Sequence, residues 1–231
     1  MIKQLREELK SRANPEKAVM LQKFFKTGKG QYGEGDVFLG ITVPETRELA
    51  KKHHNFPLNK IKTLLNSRIH EERLLAILLL VHKYQNQANE EEIVKFYLNN
   101  TKRVNSWDLV DLSADKILGP YLKDKDKSIL YKLAKSENLW ERRISIITTF
   151  HFIKNNQFQH TLKISEMLLK DNHDLMHKAA GWMLREVGKR NQGLLENFLK
   201  KHLEEMPRTT LRYATERFPE SKRQAYLKGK V

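Results

Sequence analysis

The segment Ser106-Trp107-Asp108-Leu109-Val110-Asp111 carries the residue types best suited to chemistry. On a helix, Trp107 and Asp111 stand four residues apart on one face, with Ser106 in the N-cap position. In neighbouring repeats the place of Asp111 is taken by Ala76, Ile146 and Gly181, so a carboxylate stands where apolar or small residues otherwise suffice. A partly buried carboxylate is costly unless paired, and Arg143 in the next repeat is the obvious partner. An inter-repeat salt bridge and a functional carboxylate are both open on this pattern. Trp107 points away from the core stripe, where a large aromatic is more often a contact than a filler. Trp182 lies at the edge of that stripe, suited either to helix packing or to flanking Asp111, whereas Trp140 reads as packing. Two tryptophans, a carboxylate and surrounding Arg and Lys suit a cationic, sugar-like transition state approached within a phosphate backbone. Glycosidic bond cleavage is one such reaction, and the carboxylate could also orient the attacking water.

These residues need elements to position them, and the chain reads as nearly all helix. Pro15, Pro44, Pro57 and Pro207 each stand where a first helical turn begins. Segments 71–84 and 141–154 carry long apolar faces, and alternating β-branched stretches bounded by turns are hard to find. Starting at Arg73, a spacing of 35 lands on Asp108, Arg143, Lys178 and Tyr213, each near the start of an amphipathic helix. Second helices fall at roughly 90–99, 125–135, 160–169 and 194–204. The expectation is an all-α fold, an α-solenoid of HEAT-like helical hairpin repeats, forming one domain over residues 1–231. One face of each repeat, with Leu74, Ile77, Leu78, Leu109, Leu112, Ile144, Ile147, Ala179, Trp182 and Met183, forms the core. A second stripe, with Trp107, Asp108, Asp111, Asp115, Arg142, Arg143, His177, Lys178, Gly181 and Arg185, lines a concave basic groove.

Composition narrows the partners. The 231 residues hold 43 Lys and Arg against 28 Asp and Glu, a net charge of +15, and the isoelectric point near 9.8 points towards a polyanion. Without cysteine there is no disulfide, thiolate metal site or cysteine nucleophile, which fits a reducing cytoplasm. The longest apolar run, Leu74 to Val81, is too short for a membrane span, and the N-terminus lacks the apolar core of a signal peptide. Residues 27–40 contain Gly28-x-Gly30-x-x-Gly33, but a helix rather than a strand precedes them, so this is not a dinucleotide fingerprint. They read either as a mobile loop or as a place where Lys26, Lys29 and backbone amides meet a nucleic-acid backbone. His173 and His177 have metalloprotease-like spacing but no evident third ligand, so no metal is expected.

The segments Asn14-Pro15-Glu16-Lys17-Ala18, Phe38-Leu39-Gly40-Ile41 with Pro44, Glu45 and Arg47, Ser106-Trp107-Asp108-x-x-Asp111, Trp140-x-x-Arg143 and Gly181-Trp182-x-Leu184-Arg185-Glu186 occur in order along most of the chain. Together they resemble the AlkD-like bacterial DNA alkylation repair glycosylases. That resemblance implies hydrolysis of the N-glycosidic bond of N3- or N7-alkylated purines in duplex DNA, without metal or cofactor. It also implies that Asp111 stabilises the developing oxocarbenium sugar and positions water, that Trp107 and Trp182 cradle the deoxyribose, and that Arg143 holds the backbone. Arg142, Lys178, Arg185, Arg47 and Lys29 are further DNA-binding candidates. The chain departs from the family pattern in its longer glycine-rich segment 28–35, in Val43 and in His151. Some relatives bind branched DNA without alkylbase activity, so the alternative is a non-catalytic DNA-structure-binding repeat protein. A monomer acting at the nucleoid in the cytoplasm, without a membrane or an obligate protein partner, completes the expectation.

Overall fold

A computed structural model describes residues 1–86 and 89–231, and among these the regular structure is fifteen α-helices and one 3-10 turn, Thr101–Arg103. Two compact units divide the chain, residues 1–113 and 114–231. The first holds α1 (Ile2–Lys10), α2 (Pro15–Phe24), α3 (Val43–Lys52), α4 (Leu58–Leu65), α5 (His70–Asn86), α6 (Glu90–Asn99) and α7 (Trp107–Asp111). The second holds α8 (Ala114–Tyr121), α9 (Ser128–Ala134), α10 (Leu139–Lys154), α11 (Gln159–Met167), α12 (Asp174–Gly188), α13 (Gln192–His202), α14 (Arg208–Ala214) and α15 (Glu220–Leu227). Among the described residues, extended pairing is confined to one isolated parallel bridge between Val37 and Ile69.

The helix starts follow local chemistry. Asn14, Asn89, Asn138 and Asn191 cap α2, α6, α10 and α13 by accepting from backbone N–H groups of the first turn. In α3 the Glu45 carboxylate reaches back to the Thr42 N–H at 2.8 Å in a capping box. Pro15 opens α2, while Pro57 and Pro207 stand at the caps of α4 and α14. Ser106 occupies the N-cap of α7, yet its side chain makes no cap bond. Asp108 does that work instead, its Oδ1 accepting from the Leu109 N–H at 2.9 Å.

The 35-residue period survives as a succession of helix starts at 70, 107, 139, 174 and 208. Within the second unit α10 packs on α8, α9, α11 and α12, and α12 in turn on α13 and α14. This is the nearest-neighbour stacking of helical hairpins. The apolar stripe is the core: Leu74, Ile77, Leu78, Leu109, Ile144, Ile147, Ala179 and Met183 are all buried, while Leu112 and Trp182 are half-buried. The polar stripe differs from expectation. Asp108, Asp115 and Arg143 are buried, as are His70, Glu71, Glu72 and Arg73 at the start of α5. A middle helix in such an array is covered on more than one side, so the groups opposite its apolar face must be paired within the protein.

The glycine-rich segment is built rather than unattached. The Gly30 N–H donates to Glu34 and the Gly28 N–H to Gln31, while Val37 exchanges backbone hydrogen bonds with Arg68 and His70. Gly40, at φ 83°, lies so close to α2 that a Cβ would fall 2.1 Å from the Asn14 carbonyl oxygen. A glycine is required there both by the backbone angle and by this approach.

Candidate functional site

Helix α7 carries both Trp107 and Asp111, and its start is fixed from α5. Asp108 Oδ2 accepts from His70 Nε2 at 2.8 Å, between residues only 6% and 2% exposed. On the other side of the ring, Nδ1 lies 3.5 Å from Asp36 Oδ2, which also receives Arg73 Nη2 at 2.5 Å. Burial alone would lower the His70 pKa, but the adjacent Asp108 charge and the hydrogen bonds to Asp108 and Asp36 outweigh it and raise it to about 9. The ring is therefore an imidazolium at neutral pH. Burial pushes the Asp108 carboxyl up, but the His70 charge and hydrogen bond drive it below its ordinary value. Phe38 stacks on the imidazolium with centroids 4.4 Å apart and planes at 18°, an arrangement that favours the cation.

Next to it, the Glu71 carboxylate accepts from the backbone N–H groups of Leu39, Gly40 and Ile41 at 2.9, 2.8 and 3.3 Å. Glu72 pairs with Arg6 at 2.8 Å. Four consecutive polar residues, His70 to Arg73, thus tie α5 to α1, to segment 36–41 and to α7. Helical spacing alone places none of them at the site. The signal was there in a cluster of charge opening a helix whose remainder is almost wholly apolar, a pattern that demands buried partners.

Trp107 is half-buried rather than open. Its ring stacks on Phe25 at 4.9 Å with planes 7° apart, and Phe24 meets it edge-on at 5.9 Å. One side of the indole is consequently occupied by protein. Asp111, at the last turn of α7, is half-buried. Beside this cluster, Leu21, Phe25, Phe38, Ile41 and Leu74 line an apolar cavity of about 380 Å³.

The remaining candidates divide between the units. Arg47 and Lys29, in the first, are exposed. In the second, Arg143 is 5% exposed and donates through Nη1 to the Leu175 carbonyl at 2.7 Å. Arg142 holds Asp171 at 2.6 Å, and Lys178 pairs with Asp174 at 2.7 Å. Arg185 pairs with Glu216, and the half-buried Trp182 packs on Phe150 with centroids 5.8 Å apart. The structure thus places Trp107 and Asp111 together on α7, and groups the four candidate cations of the second unit on α10 and α12, each with a carboxylate or carbonyl partner. His173 accepts from the Leu175 N–H at the start of α12, and His177 contacts the Asp171 carbonyl at 2.5 Å. Both are helix-terminal fasteners, and among the described residues no group of three metal-ligating side chains occurs.

Fold and surface define a helical-repeat protein of strongly basic character, with an aromatic and carboxylate pair on one short, rigidly seated helix. Residues 5–218 match the model of the DNA alkylation repair enzyme family, and the chain belongs to that family. Its role accordingly lies in DNA repair, with DNA as its partner. A solved structure, described as a predicted DNA alkylation repair enzyme from Enterococcus faecalis, is similar in fold: the TM-score is 0.70 at 22% identity, over 90% of this chain and 98% of that one. No protein of curated function matches the chain. Among the described residues, no helix is long and apolar enough to cross a membrane.

Proposed function

We propose that the protein is a monofunctional DNA glycosylase that hydrolyses the N-glycosidic bond of N3- or N7-alkylated purines in duplex DNA. The observation that carries this reading is the Trp107 and Asp111 pair, one helical turn apart on α7, in a chain whose family is that of DNA alkylation repair enzymes. An alkylated purine is already cationic and leaves as a neutral base, so the electron pair of the C1′–N bond departs with it and positive charge passes to the sugar. Asp111 stabilises that oxocarbenium electrostatically. It also orients a water whose oxygen adds to C1′ and whose proton is released, leaving the free base and an abasic site. Trp107 offers an aromatic face to the deoxyribose, where it favours developing positive charge, and Trp182 is the aromatic group assigned to DNA contact within the second unit. Arg47, Lys29, Arg142, Arg143, Lys178 and Arg185 serve phosphate binding and backbone positioning. The chemistry requires no metal or cofactor, and the protein acts as a monomer at the nucleoid.

Rigid seating of α7 supports this reading, because a charge-stabilising carboxylate acts best when it does not reorganise during reaction. The test is release of 7-methylguanine from a duplex oligonucleotide by the purified protein in EDTA, with Asp111→Asn as control. Release by the parent and its loss in a variant that still binds DNA is the expected result. Absence of release by the parent, together with tight binding to duplex or branched DNA, identifies a non-catalytic DNA-binding protein instead.

A further inference from the structure

Among the described residues, the four large hydrophobic residues most exposed away from the chain termini all fall between positions 19 and 37: Val19, Met20 and Phe24 on α2 and Val37 on the segment that follows, at 59, 67, 63 and 43% exposure. Single exposed apolar residues are ordinary, but several together on a highly charged protein mark a contact surface. Met20 and Phe24 are one helical turn apart and share a face. Phe24 meets the Trp107 ring edge-on at 5.9 Å, and Met20 stands at the rim of the 380 Å³ cavity. Lys17 and Lys23 on α2 and Lys26 just beyond its end are exposed around the pair.

We infer that the Met20 and Phe24 face of α2 is a DNA-contacting surface, whose side chains pack on deoxyribose and base faces while the neighbouring lysines hold the adjacent phosphates. This rests on the DNA-repair reading of the Trp107 site, with which the surface is continuous. Charge selects the occupant, because lysines around an apolar pair repel a second copy of a +15 chain and attract a polyanion. Chemistry selects the contact. Neither a thioether nor a phenyl ring can bind phosphate, whereas Met and Phe are among the residues that proteins press against or between base steps from the minor groove. Aromatic stacking on a base is tolerant of sequence, because every base presents a π-face.

Because both side chains are exposed, replacing them leaves the fold intact, and circular dichroism melting checks this directly. The experiment measures binding of the full chain to a duplex oligonucleotide with and without one 7-methylguanine, by fluorescence anisotropy across a salt series. Met20→Ser with Phe24→Ser is expected to weaken binding at least about tenfold while leaving the salt slope unchanged, since no phosphate contact is lost. Phe24→Trp is expected to retain parental affinity. Lys23→Gln with Lys26→Gln is expected to lower the slope by about one for each phosphate contact removed. Affinity of the double serine variant within twofold of the parent overturns the inference, as does a parent that binds neither duplex. A parent that is dimeric and becomes monomeric on the serine substitutions, with DNA binding kept, assigns the face to a second copy and overturns it as well. Failure of the glycosylase reading is separate: it appears as absence of base release by a parent whose binding still depends on Met20 and Phe24.

Discussion

At the scale of single residues, the His70 and Asp108 pair sets how firmly α7 is held. His70 is raised from 6.5 to about 9 by its carboxylate neighbours. A group raised on folding contributes stability that is complete below its unfolded value, near pH 6.5, and is lost as pH climbs through about 9. At about 1.4 kcal/mol per unit, the contribution is on the order of 3 kcal/mol. Asp108, lowered on folding, contributes above its unfolded value of 3.8 and loses that contribution only as pH falls through its lower folded pKa. The pair is therefore intact from mildly acidic pH to just below 9. Thermal unfolding followed from pH 7 to 10 is expected to show the parent losing stability steeply, whereas His70→Gln starts lower and changes little over the same range. Parallel curves for the two proteins would remove His70 as the titrating group. Asp108→Asn should cost more than an exposed substitution, about 3–5 kcal/mol, because it leaves a buried imidazolium without its main partner.

At the scale of elements, the contact between α12 and α14 depends on the absence of one side chain. A Cβ at Gly181 would lie 2.5 Å from Tyr213 Cβ and 2.7 Å from the Thr210 carbonyl oxygen. One of these is backbone, so Gly181→Ala must force α14 away and is expected to destabilise the protein by about 1–3 kcal/mol, measured as a lower denaturation midpoint with an unchanged m-value. The glycine and its motif were legible in the sequence, as were the 35-residue period and the apolar stripe, because helical periodicity survives whatever the helix packs against. The environment of the opposite stripe was not. A helical wheel assigns Asp108 and Arg143 to a polar face, but whether that face meets water or another helix depends on residues up to 38 positions away, as with His70 and Asp108. Trp107 illustrates the same limit. The sequence puts it off the core stripe, yet Phe25, 82 positions earlier, covers one side of its ring. Residues 27–40 read as a loop from their glycines, while their hydrogen bonds to Glu71 come from a helix some 30 residues on.

At the scale of the whole molecule, a net charge of +15 makes DNA affinity steeply salt-dependent, with a slope set by the number of phosphates neutralised. The cations do not contribute equally, because several are already engaged with carboxylates. Arg47 is exposed, so Arg47→Gln should remove one phosphate contact at most and reduce the slope by about 0.9. Lys178 is different. Its ammonium sits 2.7 Å from Asp174, whose carboxyl is held below its ordinary value chiefly by that hydrogen bond. Neutralising Lys178 loses a cation and also exposes an unpaired carboxylate to the phosphates, so Lys178→Gln should weaken binding more than Arg47→Gln does. The reverse substitution separates these two effects. Asp174→Asn removes the negative charge beside the ammonium without adding any contact, and it is expected to tighten binding a few-fold at low salt, an advantage that shrinks at high salt as screening sets in. An exposed pair of this kind contributes at most about 1 kcal/mol to stability, so the melting temperature should barely move. Equal affinity of Asp174→Asn and the parent across the salt series would remove Lys178 from the DNA-binding surface, because a phosphate contact there cannot be indifferent to a charge 2.7 Å from its donor.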